Sequence, residues 1–132
     1  MSLTLEIIPD LFAICRLDAQ SAIPNWAIKS PFFSVSKTAD ELSIVCEQKD
    51  VPPGIKAERD WRCLKVAGPL DFSLTGILAS LAAPLAEKGV SLFAISTFDT
   101  DYLLVKSNQL QRAAEALKKA GHVVASKRSN EK

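Results

Sequence analysis

Apolar and polar positions along the chain alternate in short runs over the first half and change to helical spacing in the second. Leu3–Ile8 is apolar with Thr4 and Glu6 interleaved, which predicts a strand, and Pro9-Asp10 is expected to break it. Leu11–Leu17 resumes as a second strand. Gln20–Lys29 holds Pro24 and Asn25 ahead of Trp26, which predicts a short helical turn with Trp26 plugging the core. Pro31–Glu47 reads as two apolar-rich runs separated by Lys37–Glu41, a hairpin. Pro52, Pro53 and Gly54 forbid a regular helix in Asp50–Asp60, which is read as a connector.

The second half begins with the apolar run Arg62–Ala67 and the turn Gly68-Pro69. A helix follows, with Ser73 placed to cap it and Leu74, Ile77, Leu78, Leu81 and Leu85 at the spacing of one buried stripe; Gly89 ends it. Pro84 falls inside that helix and removes the bond to the Ser80 carbonyl, so a kink is expected there. Leu92–Phe98 and Asp101–Lys106 are two strand-like runs joined at the Asp99-Thr100 corner. Asn108, with Gln111 three residues on, is expected to cap a last helix. Its stripe is Leu110, Ala113, Ala114 and Leu117, and Gly121 stops it. His122–Val124 is a short final strand, and Ser126–Lys132 is polar enough to be read as a disordered tail.

Strand, helix, hairpin, helix, strand is the order of an α+β, ferredoxin-like βαββαβ unit. The hairpin of residues 31–47 matches residues 92–106 without a gap at an offset of 60, with Phe33 on Phe93, Val35 on Ile95 and Ile44 on Leu104. That similarity suggests two copies of one unit. The expected organisation is a degenerate, β-rich copy over 1–60 packed with a complete unit over 61–125, followed by the tail at 126–132.

Composition narrows the function. With 48% hydrophobic residues, 23% charged and a net charge of +1, the chain offers neither the basic face expected of a nucleic-acid binder nor an apolar run near the ~20 residues that span a bilayer. No leader-like N-terminus is read, so the cytoplasm is the expected compartment. Cys15, Cys46 and Cys63 are far apart, form no C-x-x-C and have one histidine for company, poor material for zinc; buried reduced thiols are expected. His122, the single imidazole, is read as a surface or strand-edge residue, and no phosphate loop is present. Neither an enzyme nor a cofactor is expected.

A binding site is better supported than a catalytic one. Residues 69–75 deliver the chain onto a helix N-terminus, whose free N–H groups favour an anion such as a carboxylate, and Gly76 lets it approach the backbone. Asp71, Asp99 or Asp101 could supply the countercharge for an ammonium or basic group.

The motifs WRCLKV, GPLDFSLTGIL and LAEKGVSLFAISTFDTDYLLV, with the closing helix before Gly121, resemble the ACT-domain proteins. Within that family they are similar to the branch of aspartate kinase regulatory domains and the cytosolic arginine sensors. The resemblance implies a small amino-acid-like effector bound between the first strand–helix loop and a neighbouring copy of the domain. In this chain that loop is Asp71, Phe72, Ser73, Leu74, Thr75, Gly76 and Ile77. The hairpin segment implied to line the pocket is Ser96, Thr97, Phe98, Asp99, Thr100 and Asp101, with Asp101 facing the ligand's cationic group and Phe98 covering its alkyl part. A chain with at most two such units implies a homodimer or a partner protein to complete the site.

Overall fold

The computed structural model describes residues 2–68, 70 and 75–126, and the chain divides into two compact units: Met1–Pro9 with Arg62–Lys132, and Asp10–Trp61. Along the chain lie β1 (Thr4–Leu17), β2 (Ser34–Lys37), β3 (Leu42–Glu47), β4 (Ala57–Val66), α1 (Ile77–Glu87), β5 (Phe93–Ser96), β6 (Asp101–Lys106), α2 (Leu110–Lys119) and β7 (Val123–Ser126). Both β1 and β4 contribute residues to each unit.

The first unit is the βαββαβ arrangement with one addition. From β4 onward its elements run β4, α1, β5, β6, α2, β7, and its strands lie in the order β7-β1-β4-β6-β5. The start of β1 therefore sits between the first and last strands of the ferredoxin-like unit. Thr4–Ile7 pair in parallel with Val123–Ser126, and the Ala67 N–H donates to the Thr4 carbonyl at 2.8 Å on the other side. Residues 1–9, expected with the first half, group instead with the second because Leu5 is fully buried in that unit's core. The rest of this core is Leu64, Val66, Ile77, Leu81, Leu85, Val90, Leu103, Val105, Ala113, Ala116 and Leu117.

Several local expectations change in this unit. α1 begins at Ile77 with Gly76 as its N-cap, and its buried stripe is Ile77, Leu81 and Leu85; Leu78 turns outward at 38% exposure. The expected cap Ser73 and stripe residue Leu74 lie outside the described residues. The helix is continuous through Pro84. Ser107–Gln109 form a 3₁₀ turn ahead of α2, so Asn108 does not cap; Gln111 Nε2 donates to Glu115 at 3.3 Å instead. Ala116 takes the place expected of Ala114 among the residues α2 buries. Ser126 closes β7, and the rest of the expected tail lies outside the described residues.

The second unit holds β3 between β2 and the later part of β1, all antiparallel: Phe12–Leu17 pair with Leu42–Glu47, and Ser34–Lys37 with Leu42–Val45. Pro9 does not break β1. It falls between Ile7, the last residue paired with β7, and Phe12, the first paired with β3, where its missing N–H removes no bond from either ladder. The core is built of small residues, Ala13, Cys15, Ala27 and Cys46 with Leu42, Ile44 and Val51. Asn25–Ile28 form a 3₁₀ turn that buries Ala27, while Trp26 is only half-buried against that core. Ala57–Asp60, read as connector, belong to β4. Asp60 adopts φ 68° there, and the Gln48 side chain holds it by accepting its backbone N–H and donating to its carboxylate at 3.0 Å.

The repeat exists, at a different register. Lys37 pairs with Leu42 and Ser96 with Asp101, so the hairpins correspond at an offset of 96 − 37 = 59. The gapless match at 60 placed each strand one residue out, which would exchange its faces. At 59 the turns agree in detail: the Thr38 N–H donates to the Glu41 carbonyl at 2.9 Å, as the Thr97 N–H does to Thr100 at 2.8 Å. Each hairpin also runs into a 3₁₀ turn, Gln48–Asp50 or Ser107–Gln109.

Candidate functional site

Two segments of the first unit converge on one cavity of about 310 Å³, lined by Leu70, Gly76, Ile77 and Leu78 on one side and by Ser96–Asp101 on the other. Their meeting is fixed by backbone bonds. The Asp99 carbonyl accepts the Leu70 N–H at 2.6 Å, which ties the β5–β6 turn to the segment leaving β4. The buried Thr100 hydroxyl donates to the Val66 carbonyl at 2.6 Å. Within the turn, Thr97 Oγ1 donates to the Thr100 carbonyl at 3.0 Å. Gly68 is required at this join: a Cβ there would lie 3.1 Å from the Asp99 carbonyl oxygen and 3.1 Å from Thr100 Cβ.

The entry to α1 is set by Gly76, whose φ of 76° and ψ of 5° are left-handed and suit a residue without Cβ. A glycine brings no side chain to cap the helix, and α1 carries no acidic residue in its first turn. Gly76, Ile77 and Leu78 line the cavity, which puts the N-terminal, positive end of the helix dipole at its wall. Asp99 and Asp101 belong to the same lining, with no cationic residue among the lining ones. Ser96 Oγ donates to Asp101 Oδ1 and orients that carboxylate, while Asp99 is engaged through its backbone carbonyl. Phe98 is 79% exposed at the turn. Burial is the first reason that the neighbouring Tyr102 hydroxyl is held above its ordinary range, with Cys63 and Asp99 adding to it. The arrangement presents anion-seeking donors at one end and carboxylates at the other.

Of the candidate residues, Gly76, Ile77, Ser96, Thr97, Phe98, Asp99, Thr100 and Asp101 line the cavity. Thr75 is exposed and is not among the lining residues. Asp71, Phe72, Ser73 and Leu74 lie outside the described residues. Leu70 and Leu78 were missed. Leu70 directly precedes the expected loop, and Leu78 had been placed on the buried stripe, whose inward face is centred instead on Ile77, Leu81 and Leu85.

His122 is also not where the sequence put it. It is 5% exposed: Nδ1 accepts the Leu3 N–H at 3.1 Å, and Nε2–H donates to the Ser80 carbonyl at 3.2 Å. It is a structural residue away from the cavity. Among the described residues no group of three or more His, Cys, Asp or Glu side chains could hold a metal ion, and no helix is long and apolar enough to cross a membrane.

The family model for the ACT domain matches residues 56–119, from β4 to the end of α2. An X-ray structure of an Agrobacterium tumefaciens protein is 39% identical with a TM-score of 0.93, over 100% of this chain and 98% of that one. The chain is an ACT-domain protein. A second family model, for an N-terminal domain, matches residues 10–54 of this ACT-domain chain, inside its second unit. The rat protein named cytosolic arginine sensor for mTORC1 subunit 1 is 34% identical over 105 residues, 74% of this chain and 32% of the sensor. The chain spans about a third of the length of the curated relatives it matches. The regulatory subunit of aspartate kinase from Thermus flavus shares the fold at 12% identity, with a TM-score of 0.60 over 91% of this chain and 97% of the other.

Proposed function

We propose that this ACT-domain protein is a non-catalytic regulatory sensor that binds a small amino-acid-like effector in the cavity between the start of α1 and the β5–β6 turn. One observation carries the reading: segments some 20 residues apart in sequence meet around about 310 Å³, with the start of α1 and the residues Asp99 and Asp101 in one lining. That volume is near the lower end of ligand pockets, which run from roughly 300 to 1,000 Å³, and suits a single amino acid better than a nucleotide. The effector's carboxylate takes the first-turn N–H groups of α1. Its ammonium or basic side-chain group takes Asp101, pre-oriented by Ser96, and Phe98 covers the alkyl part. The arginine-sensor relative supports an amino acid as the ligand class, a cytoplasmic setting and signalling through a partner. A second copy or partner chain completes the site, and effector binding shifts the association equilibrium by its differential affinity for the two states.

Thermal shift against all twenty amino acids at millimolar concentration tests this. A ligand at ~100 times its Kd adds about 2.7 kcal/mol, a shift of several degrees for a chain of this size. A hit or two with wild type, lost in Asp101→Ala at unchanged basal stability, supports the sensor. A flat panel favours a second reading, a ligand-free assembly module, for which the exposed Phe98 and Leu78 at the same rim speak. Sedimentation analysis with and without the hit separates homodimerisation from dependence on another protein.

A further inference from the structure

The effector cavity leaves a second, larger depression of the first unit unused. It encloses about 470 Å³ between the end of α1 and the exposed side of α2, and is lined by Glu87, Lys88, Arg112, Glu115, Ala116 and Lys119. Arg112, Ala116 and Lys119 stand at i, i+4 and i+7 on α2, so they share one stripe, with the two cations about 10 Å apart along the axis. Ala116 between them is short and buried, which leaves a floor below the two long side chains.

α1 supplies the other wall. Lys88 is its C-cap, and Arg112 Nη1 donates to the Lys88 carbonyl at 3.5 Å. That contact is at the long end of hydrogen bonding, and most of the five guanidinium N–H donors are left for a ligand. Neither glutamate neutralises the cations. Glu115 accepts from Gln111 Nε2 at 3.3 Å, and among the described residues Lys88, Arg112 and Lys119 take part in no ion pair. Three such cations around a short-floored groove are the complement of a chain that carries carboxylates.

We propose that this groove docks an acidic segment of a partner protein. The lining disfavours other polyanions. It has no aromatic side chain on which a base could stack and no long apolar one to enter a membrane, and Glu87 and Glu115 repel a continuous phosphate backbone. A peptide can space its carboxylates against Lys88, Arg112 and Lys119 and set neutral residues beside the two glutamates. Effector and partner need not compete. Ile77 and Leu78 of the first turn of α1 line the effector cavity, whereas Glu87 and Lys88 at its other end line the groove. Docking here does not require the effector, so it is measured without one.

The full chain is titrated into a fluorescently labelled peptide of alternating Glu and Gly, with an alternating Gln-Gly peptide and an oligothymidylate of the same length as comparisons, and binding is read by anisotropy. The expected result is saturable binding of the Glu-Gly peptide that weakens as salt is raised and falls about tenfold in the double substitution Arg112→Glu, Lys119→Glu. Lys29→Glu with Lys56→Glu makes the same charge change at exposed positions of the second unit and should cost less than about threefold. Absence of saturable binding, equal losses in the two variants, or equal binding of the Gln-Gly peptide would overturn the proposal. Tighter binding of the oligothymidylate, lost in the groove variant, would overturn it in favour of nucleic acid.

Discussion

His122 donates from Nε2 to the Ser80 carbonyl at 3.2 Å, and this is the carbonyl that Pro84 cannot serve, having no N–H. The break that proline makes in the α1 ladder is thus repaired from outside the helix. The other ring nitrogen holds the Leu3 N–H at 3.1 Å, so one imidazole between α2 and β7 joins α1 to the residue ahead of β1.

Replacing His122 by Ala leaves two partly buried backbone groups without their partner. At about 1–3 kcal/mol for each unmet group, the chain should lose several kcal/mol. In a Pro84→Ala background residue 84 can bond Ser80 itself, so His122→Ala should cost about 1 kcal/mol less there than in wild type. Urea unfolding of the four proteins of this cycle measures the difference. Equal costs in both backgrounds would show that the Ser80 bond contributes nothing.

Two glycines at the cavity should respond differently to Ala. At Gly68 the new methyl meets the Asp99 carbonyl at 3.1 Å, and overpacking against backbone should cost about 1–3 kcal/mol and disturb the Leu70–Asp99 bond. At Gly76 there is open space within 4 Å but φ is 76°, so only left-handed strain of about 1–2 kcal/mol is expected. Thermal melts give both costs. Effector binding should weaken more than stability alone predicts in Gly68→Ala.

Cys63 contributes to the loss of stability in alkali. Burial pushes its thiol up to about 12 from 9.0. Between those values the unfolded chain has released the proton and the folded chain has kept it, so stability falls as pH rises through this window. The three-unit difference is worth roughly 4 kcal/mol across it. Stability against pH from 8 to 11 should slope downward in wild type and less steeply in Cys63→Ala.

The buried Thr100 hydroxyl holds the β5–β6 turn to β4 through Val66. Thr100→Val keeps the shape and removes the bond, leaving the Val66 carbonyl unmet at about 1–3 kcal/mol. Thr97→Ala, at the exposed side of the same turn, should cost about 1 kcal/mol or less.

Local pattern carried the elements that build the cavity. The bounds of β6 were read to the residue and β5 falls inside Leu92–Phe98, while the two lining segments were named from the resemblance to ACT-domain proteins. What escaped was long-range or depended on one residue of register. Alternation in Leu3–Ile8 marks a strand but does not say that it enters between β4 and β7. Pro9 signals a break only where both strand edges are paired. The repeat offset of 60 followed side-chain likeness, whereas the ladders and the T-x-D turns set it at 59. Leu78 sits at the edge of the stripe that Ile77, Leu81 and Leu85 define, and nothing in the local sequence of His122 announces its distant partners Leu3 and Ser80.

The most direct test of the effector site is an amide NMR titration of the full chain with whichever amino acid raises its melting temperature. The account predicts shifts concentrated at Gly76–Leu78 and Ser96–Asp101, saturating together and lost in Asp101→Ala. Perturbations gathered instead along the groove formed by Lys88, Arg112 and Lys119 would contradict it.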